Sequence, residues 1–183
     1  MAFEPEVSAR SAVCGDLRAG EIGVVRTNPD CAICFGSGVA VAFWRLYTKV
    51  ADVAELERAA TQAHEASGRP IALVQIVATS AIAPDTHVRA ALGRMLKNLQ
   101  GRVSCSAIVH EGEGFRASMI RSIVTGVVAL SNPGFPHRVF STLAETVNWM
   151  TQVDRFAAAN VNLAVSKVRA AISTELETPP PTR

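Results

Sequence analysis

The segment Ile71-Ala-Leu-Val-Gln-Ile-Val77 is apolar at every position but Gln75. A strand with one face in water alternates apolar and polar residues. A strand apolar at consecutive positions must be covered on both faces, as in parallel sheets flanked by helices. The residues after Val77 have the right pattern for such a cover. Val88, Leu92, Met95 and Leu99 recur at steps of four, three and four, the stripe of an amphipathic helix. Asp85 stands where its carboxylate can accept from the free N–H groups of the first turn, and Gly101 stands where the helix should stop. Val103 to Val109 then alternates less cleanly (Val103, Cys105, Ala107, Val109) and reads as the next strand. Strand, crossover helix and strand over residues 71–109 make a βαβ unit, a connection that is nearly always right-handed.

The flanks extend this unit. Ile22 to Arg26 reads as a short strand, and Asn28-Pro29-Asp30 as a turn. Cys31–Phe35 and Val39–Tyr47 are apolar runs around Gly36-Ser37-Gly38, the pattern of a β-hairpin. Asp52-Val-Ala-Glu55 has the form of a capping box; it predicts a helix to about Ala66 with Val53, Leu56, Ala60 and Ala63 inward, ended by Gly68 and Pro70. After a loop from His110 to Gly114, two adjacent stripes predict a broadly buried helix from Phe115 to Leu130. These are Phe115, Met119, Ile123 and Val127, and Ile120, Val124 and Val128. Arg138–Phe140 reads as a last strand, and Thr142-Leu-Ala-Glu145 as another capping box. A helical stripe then runs through Met150, Val153, Ala157, Val161, Val165, Val168 and Ile172. Residues 142–175 exceed the ~25 residues beyond which an uncapped helix is unusual, so a break is expected near Gln152. The expected architecture is α/β: a mixed, mainly parallel sheet of about five strands with flanking helices. An N-terminal arm (1–20) precedes the α/β domain (21–150), and a helical extension (151–176) and a disordered tail (177–183) come after it. The extension either covers a sheet face or pairs with a second copy; a homodimer is the expected assembly, the commonest symmetric form.

Of the 183 residues 49% are hydrophobic but only 5% aromatic, so the core must consist mainly of Val, Ala, Leu and Ile. Eighteen basic and sixteen acidic residues leave a net charge of +2, too little for an overall footprint on nucleic acid or an acidic membrane. No apolar run approaches the ~20 residues that span a bilayer. The opening Met-Ala-Phe-Glu-Pro-Glu has neither the basic nor the apolar region of a signal peptide, so a cytoplasmic location is expected. Cys14, Cys31, Cys34 and Cys105 are then expected as free thiols. Cys31 and Cys34 form a Cys-x-x-Cys, but a turn comes after it rather than the helix start that activates such thiols. A zinc site would need a second ligand pair, and His64, His87, His110 and His137 are scattered. Gly36-Ser37-Gly38 leads into strand, not the helix N-terminus a phosphate loop needs. No metal or cofactor is expected.

Near one strand end lie Cys105, His110 and Glu111, the one group with catalytic residue types at a place where open α/β sheets hold their sites. No Ser/His/Asp set and no dinucleotide fingerprint accompanies them, and the expectation is a chain that is not an enzyme. Arg116 and Arg121, near Gly114, are candidate contacts for an anion.

The order of elements, with Val77-Ala-Thr79 and Ala83-Pro-Asp85-Thr86 at its centre, resembles the STAS domain and the SpoIIAA-like proteins, bacterial regulatory modules typified by anti-sigma-factor antagonists. The likeness covers roughly residues 22 to 150. In the antagonists an Asp ends the central strand; a second Asp, followed by a phosphorylatable Ser or Thr, opens the next helix. Asp85-Thr86 matches that second pair in spacing and place. Val77 stands where the first Asp would be, and His87 where a glycine would follow the phosphoacceptor. The segments Phe115-Arg116 to Arg121 and Arg138 to Trp149 look like the SpoIIAA-like branch. The resemblance implies a non-enzymatic regulatory or interaction module with a protein partner, its docking face being the loop from Thr79 and Ser80 to Asp85 and Thr86 with the helix beyond. A phosphate on Thr86 would add about −1.5 to −2 charges. The alternative is an apolar-ligand or lipid binder, since related architectures hold lipids beside such a sheet.

Overall fold

The computed structural model describes residues 10–11, 21–112, 118, 122–123, 125–127, 129 and 131–177. Among the described residues seven strands form one mixed sheet in the order in which they occur along the chain. They are β1 (Arg10–Ser11), β2 (Gly23–Thr27), β3 (Cys31–Gly36), β4 (Val39–Trp44), β5 (Ile71–Val77), β6 (Val103–His110) and β7 (His137–Phe140). Pairing is antiparallel from β1 to β4 and parallel from β4 to β7. The fold is α/β as expected, but the sheet is larger than about five strands and its parallel and antiparallel pairings are equal in number. The addition lies at the antiparallel edge, where Arg10 pairs with Thr27 inside the stretch expected as an arm; the strand expected over Ile22 to Arg26 is β2, paired with β3.

That hairpin turns on two residues. Gly36 pairs with Val39, and Ser37 and Gly38 take φ of 50° and 74°, the left-handed pair a tight hairpin requires.

Helix α1 (Val50–Ser67) joins β4 to β5, and α2 (Thr86–Asn98) joins β5 to β6. Both lie on one face, where Leu56, Ala60, Val88 and Met95 pack on Ile33, Ala40, Ile71 and Leu73. Helix α1 begins two residues before the expected cap. Lys49 is its N-cap, and Asp52 is the third helical residue, accepting from the Lys49 N–H at 3.2 Å. The reason is lateral: Asp52 is fully buried and bound to Arg26 of β2 at 2.5 Å.

The opposite face is covered by α3 (Leu143–Val153) and α4 (Arg155–Glu177). Thr142 and Glu145 form the expected capping box: the Glu145 N–H donates to Thr142 Oγ1 at 3.2 Å, and the Thr142 N–H to Glu145 Oε2 at 3.1 Å. The expected break falls at Asp154, two residues beyond Gln152. Val153, the last residue of α3 before that break, leaves the stripe and is 39% exposed. Ala157, Val161, Val165, Val168 and Ile172 pack on Cys34, Val39, Val41 and Val74. The extension is therefore the second cover of the sheet.

The alternation along β6 breaks after Val103. Cys105, Ala107 and Val109 face α3 and α4, but Val103 faces α2. The pairing of β5 with β6 shifts between Ile71 and Ala72. Ser104 is left without a cross-strand residue there, and one extra residue in a period-two strand inverts the side chain before it. Glu177, the first residue of the expected tail, still belongs to α4, and residues 178–183 lie outside the described residues, as does Cys14. No helix among the described residues is long and apolar enough to cross a membrane.

Candidate functional site

The carboxyl ends of β4 and β5 make a fastened corner. The Ala78 N–H donates to the Trp44 carbonyl at 3.0 Å, and the Ile82 N–H to the Leu46 carbonyl at 2.8 Å. Ser80 Oγ donates to the Arg45 carbonyl at 2.6 Å. The Arg45 and Leu46 N–H groups in turn donate to the Asp30 carbonyl. The connection from Ala78 to Asp85 is thus anchored by main-chain bonds to the preceding loop, with few side chains spent on it. Asp85 ends it as the N-cap of α2, accepting from the Val88 N–H at 2.8 Å. Thr86 is next, and Arg89 Nη2 donates to its hydroxyl at 3.2 Å.

Thr79, Ser80, Asp85 and Thr86 are all exposed and lie on this one connection. Around it three large apolar side chains are also exposed: Tyr47 at 54%, Val50 at 45% and Ile82 at 41%. Arg116 and Arg121 lie outside the described residues.

Beneath the corner is a cavity of about 70 Å³, lined by Trp44, Gln75, Val77, Ile82, Leu92, Met95, Ile108, Val127 and His137 among others. Trp44 Nε1 donates to Gln75 Oε1 at 3.0 Å, which satisfies both polar groups inside an apolar wall. His137 has no hydrogen-bond partner at either ring nitrogen. Burial pushes its pKa down to about 4, so it is neutral at pH 7. Ser106, its neighbour across the β6–β7 ladder, also lacks a partner for its hydroxyl. The sequence reading missed Trp44, Gln75 and His137. Their signal was polar residues inside strands, and only the register shows that they meet.

The candidate catalytic group does not converge. Cys105 and Val109 face α3 and α4, so the next residue, His110, turns to the opposite face of the strand. His110 is 2% exposed and has no partner at either nitrogen, and Glu111 is paired with Arg169. Burial pushes the Cys105 thiol up to about 11, and Cys31 and Cys34 up to about 12. At neutral pH none of the three supplies a thiolate, the form that attacks or binds metal. Cys31 and Cys34 lie on opposite faces of β3. No group of three or more metal-ligating side chains occurs among the described residues.

No protein-family model matches the sequence, and no curated protein is similar to it at a significant level.

Proposed function

We propose that this chain is a regulatory module that binds a protein partner and carries no catalytic activity. Its docking face is the connection from Ala78 to Asp85 with the start of α2. The observation that carries the reading is the fastening of that connection. Its main chain is held by Trp44, Arg45 and Leu46, while Thr79, Ser80, Ile82 and Thr86 stay exposed. A surface prepared in this way loses little conformational entropy when a partner settles on it. The likeness to STAS and SpoIIAA-like regulators at Asp85-Thr86 points the same way, as do the scattered catalytic residue types and the raised thiol pKa values.

Thr86 is the switch of this reading. A phosphate there would sit at the positive end of α2, worth about 0.3–1 kcal/mol to the helix, with the Arg89 guanidinium already beside the hydroxyl. The helix tolerates the charge, and a partner seated over the same turn does not. The cavity does not favour a lipid carrier. At about 70 Å³ it is well below the ~300 Å³ at which ligand pockets begin. The test is affinity capture from the source organism with the wild type and with Thr86→Glu, read by quantitative mass spectrometry. The expected result is that partners held by the wild type are depleted from the variant. Equal recovery of the same proteins, with both forms folded, ends the switch.

A further inference from the structure

Beside the docking face runs an open groove of about 570 Å³ between α2 and the helical residues Ser122, Ile123, Gly126, Val127 and Ser131. Its α2 wall carries two rows at four-residue spacing: Thr86, Ala90 and Arg94, and Arg89, Gly93 and Lys97. The facing wall presents Ile123, Gly126 and Val127. Two features give it a chemistry. Arg89, Arg94 and Lys97 form no ion pair with any described carboxylate, so among the described residues three positive charges line one wall without a paired carboxylate. Gly93 and Gly126 stand on opposite walls, and a Cβ built on either would meet nothing within 4 Å. Glycine inside a helix is the costlier choice over alanine, and here it occurs on both walls of one space that is left unfilled.

We propose that this groove binds an acidic, amphipathic segment of a partner protein, its apolar stripe over Ile123 and Val127 and its carboxylates against Arg89, Arg94 and Lys97. Residues 86–97 of α2 span about three helical turns, the length of a short helix laid into a groove. The described lining has no aromatic side chain on which a base could stack, so the surface suits carboxylates better than single-stranded nucleic acid. The proposal rests on the reading of α2 as part of the docking face and names the chemistry of what docks there.

The test is fluorescence polarisation on the full chain. The probes are a labelled 18-residue peptide of Glu and Leu in helical register, a Lys/Leu counterpart and a single-stranded oligonucleotide. The expected result is that only the Glu/Leu peptide binds, more weakly as salt rises. Arg94→Glu/Lys97→Glu should weaken it at least tenfold and favour the Lys/Leu peptide. Gly126→Leu, which fills the groove without changing charge, should weaken it as well; should the double reversal fail to fold, this variant and Arg94→Gln decide the matter. No binding of the Glu/Leu peptide, equal binding of both peptides, or tighter binding of the oligonucleotide overturns the proposal. If Thr86→Glu alters partner capture while the Glu/Leu peptide does not bind, the docking face stands and the acidic occupant of the groove falls.

Discussion

The carboxylate of Asp154, in the one-residue break between α3 and α4, meets the guanidinium of Arg69 at 2.9 Å, across 85 residues of sequence. The same carboxylate accepts from Ser104 Oγ at 2.7 Å and from the Ala157 N–H at 3.1 Å. One buried side chain therefore ties the loop before β5, the irregular residue of β6 and the first turn of α4. The arginine is 40% exposed, so its pairing is screened by solvent and contributes only about 0–1 kcal/mol. The larger share lies in the lost cap and the lost acceptor for Ser104. Asp154→Ala should destabilise the protein by about 2–3 kcal/mol, and Asp154→Asn, whose one remaining oxygen can still accept from the Ala157 N–H while its amide N–H faces Ser104 Oγ, by less. Urea unfolding followed by circular dichroism measures both. Equal midpoints for the alanine variant and the wild type would refute the role.

Two glycines should respond differently to the same change. Gly36 has φ +139°, and a Cβ there would lie 1.9 Å from the Glu21 carbonyl oxygen, main chain that cannot step aside. Gly101 has φ +79°, with nothing within 4 Å of a Cβ. Gly101→Ala meets only the left-handed backbone penalty of about 1–2 kcal/mol. Gly36→Ala adds a collision to its strain and should cost clearly more, opening the β2 edge. Thermal melts of the two variants give the comparison, and a Gly36→Ala protein as stable as Gly101→Ala would contradict the close approach.

The three described cysteines make a chemical prediction. Cys31, Cys34 and Cys105 are buried, with thiols pushed up to about 12, 12 and 11. Iodoacetamide at pH 8 should leave all three unmodified in the folded protein and alkylate them in urea, as peptide mass spectrometry reads directly. Rapid labelling of Cys105 in the folded state would reopen the case for a reactive thiol at that strand.

What the sequence revealed and what it hid divide along a physical line. The burial of Ile71 to Val77, the cap at Asp85, the Thr142–Glu145 box and the hairpin at Ser37-Gly38 are local, and a residue and its near neighbours suffice to read them. Asp52 was misread as the N-cap rather than the third helical residue because its ion-pair partner, Arg26, lies far off in sequence on β2. The alternation from Val103 to Val109 breaks after Val103 because the shift at Ser104 belongs to the pairing of two strands. The pairing of Arg10 with Thr27 has no sequence pattern at all. At the site, Asp85 and Thr86 were legible from spacing. The groove beside them was not, because nothing in the sequence places Gly93 opposite Gly126.

His137 makes the fold sensitive to acid. Half-buried, with both ring nitrogens enclosed and without a partner, it is held neutral in the folded state with its pKa lowered to about 4 from the ordinary 6.5. The unfolded chain protonates His137 at the ordinary value, so between those two pH values unfolding takes up a proton. Its contribution is fully present above pH 6.5 and is lost as pH falls toward 4. Linkage puts the loss near 2 kcal/mol between pH 7.5 and pH 5 for this one group. Other groups titrate in the same window, so the informative quantity is the difference between proteins. His137→Gln keeps a polar side chain of similar reach and removes the titration. Its stability measured by urea unfolding should fall less than that of the wild type over that interval, by about 2 kcal/mol. Parallel pH profiles for the two proteins would mean that His137 is hydrated in the folded state and titrates as it does in the open chain.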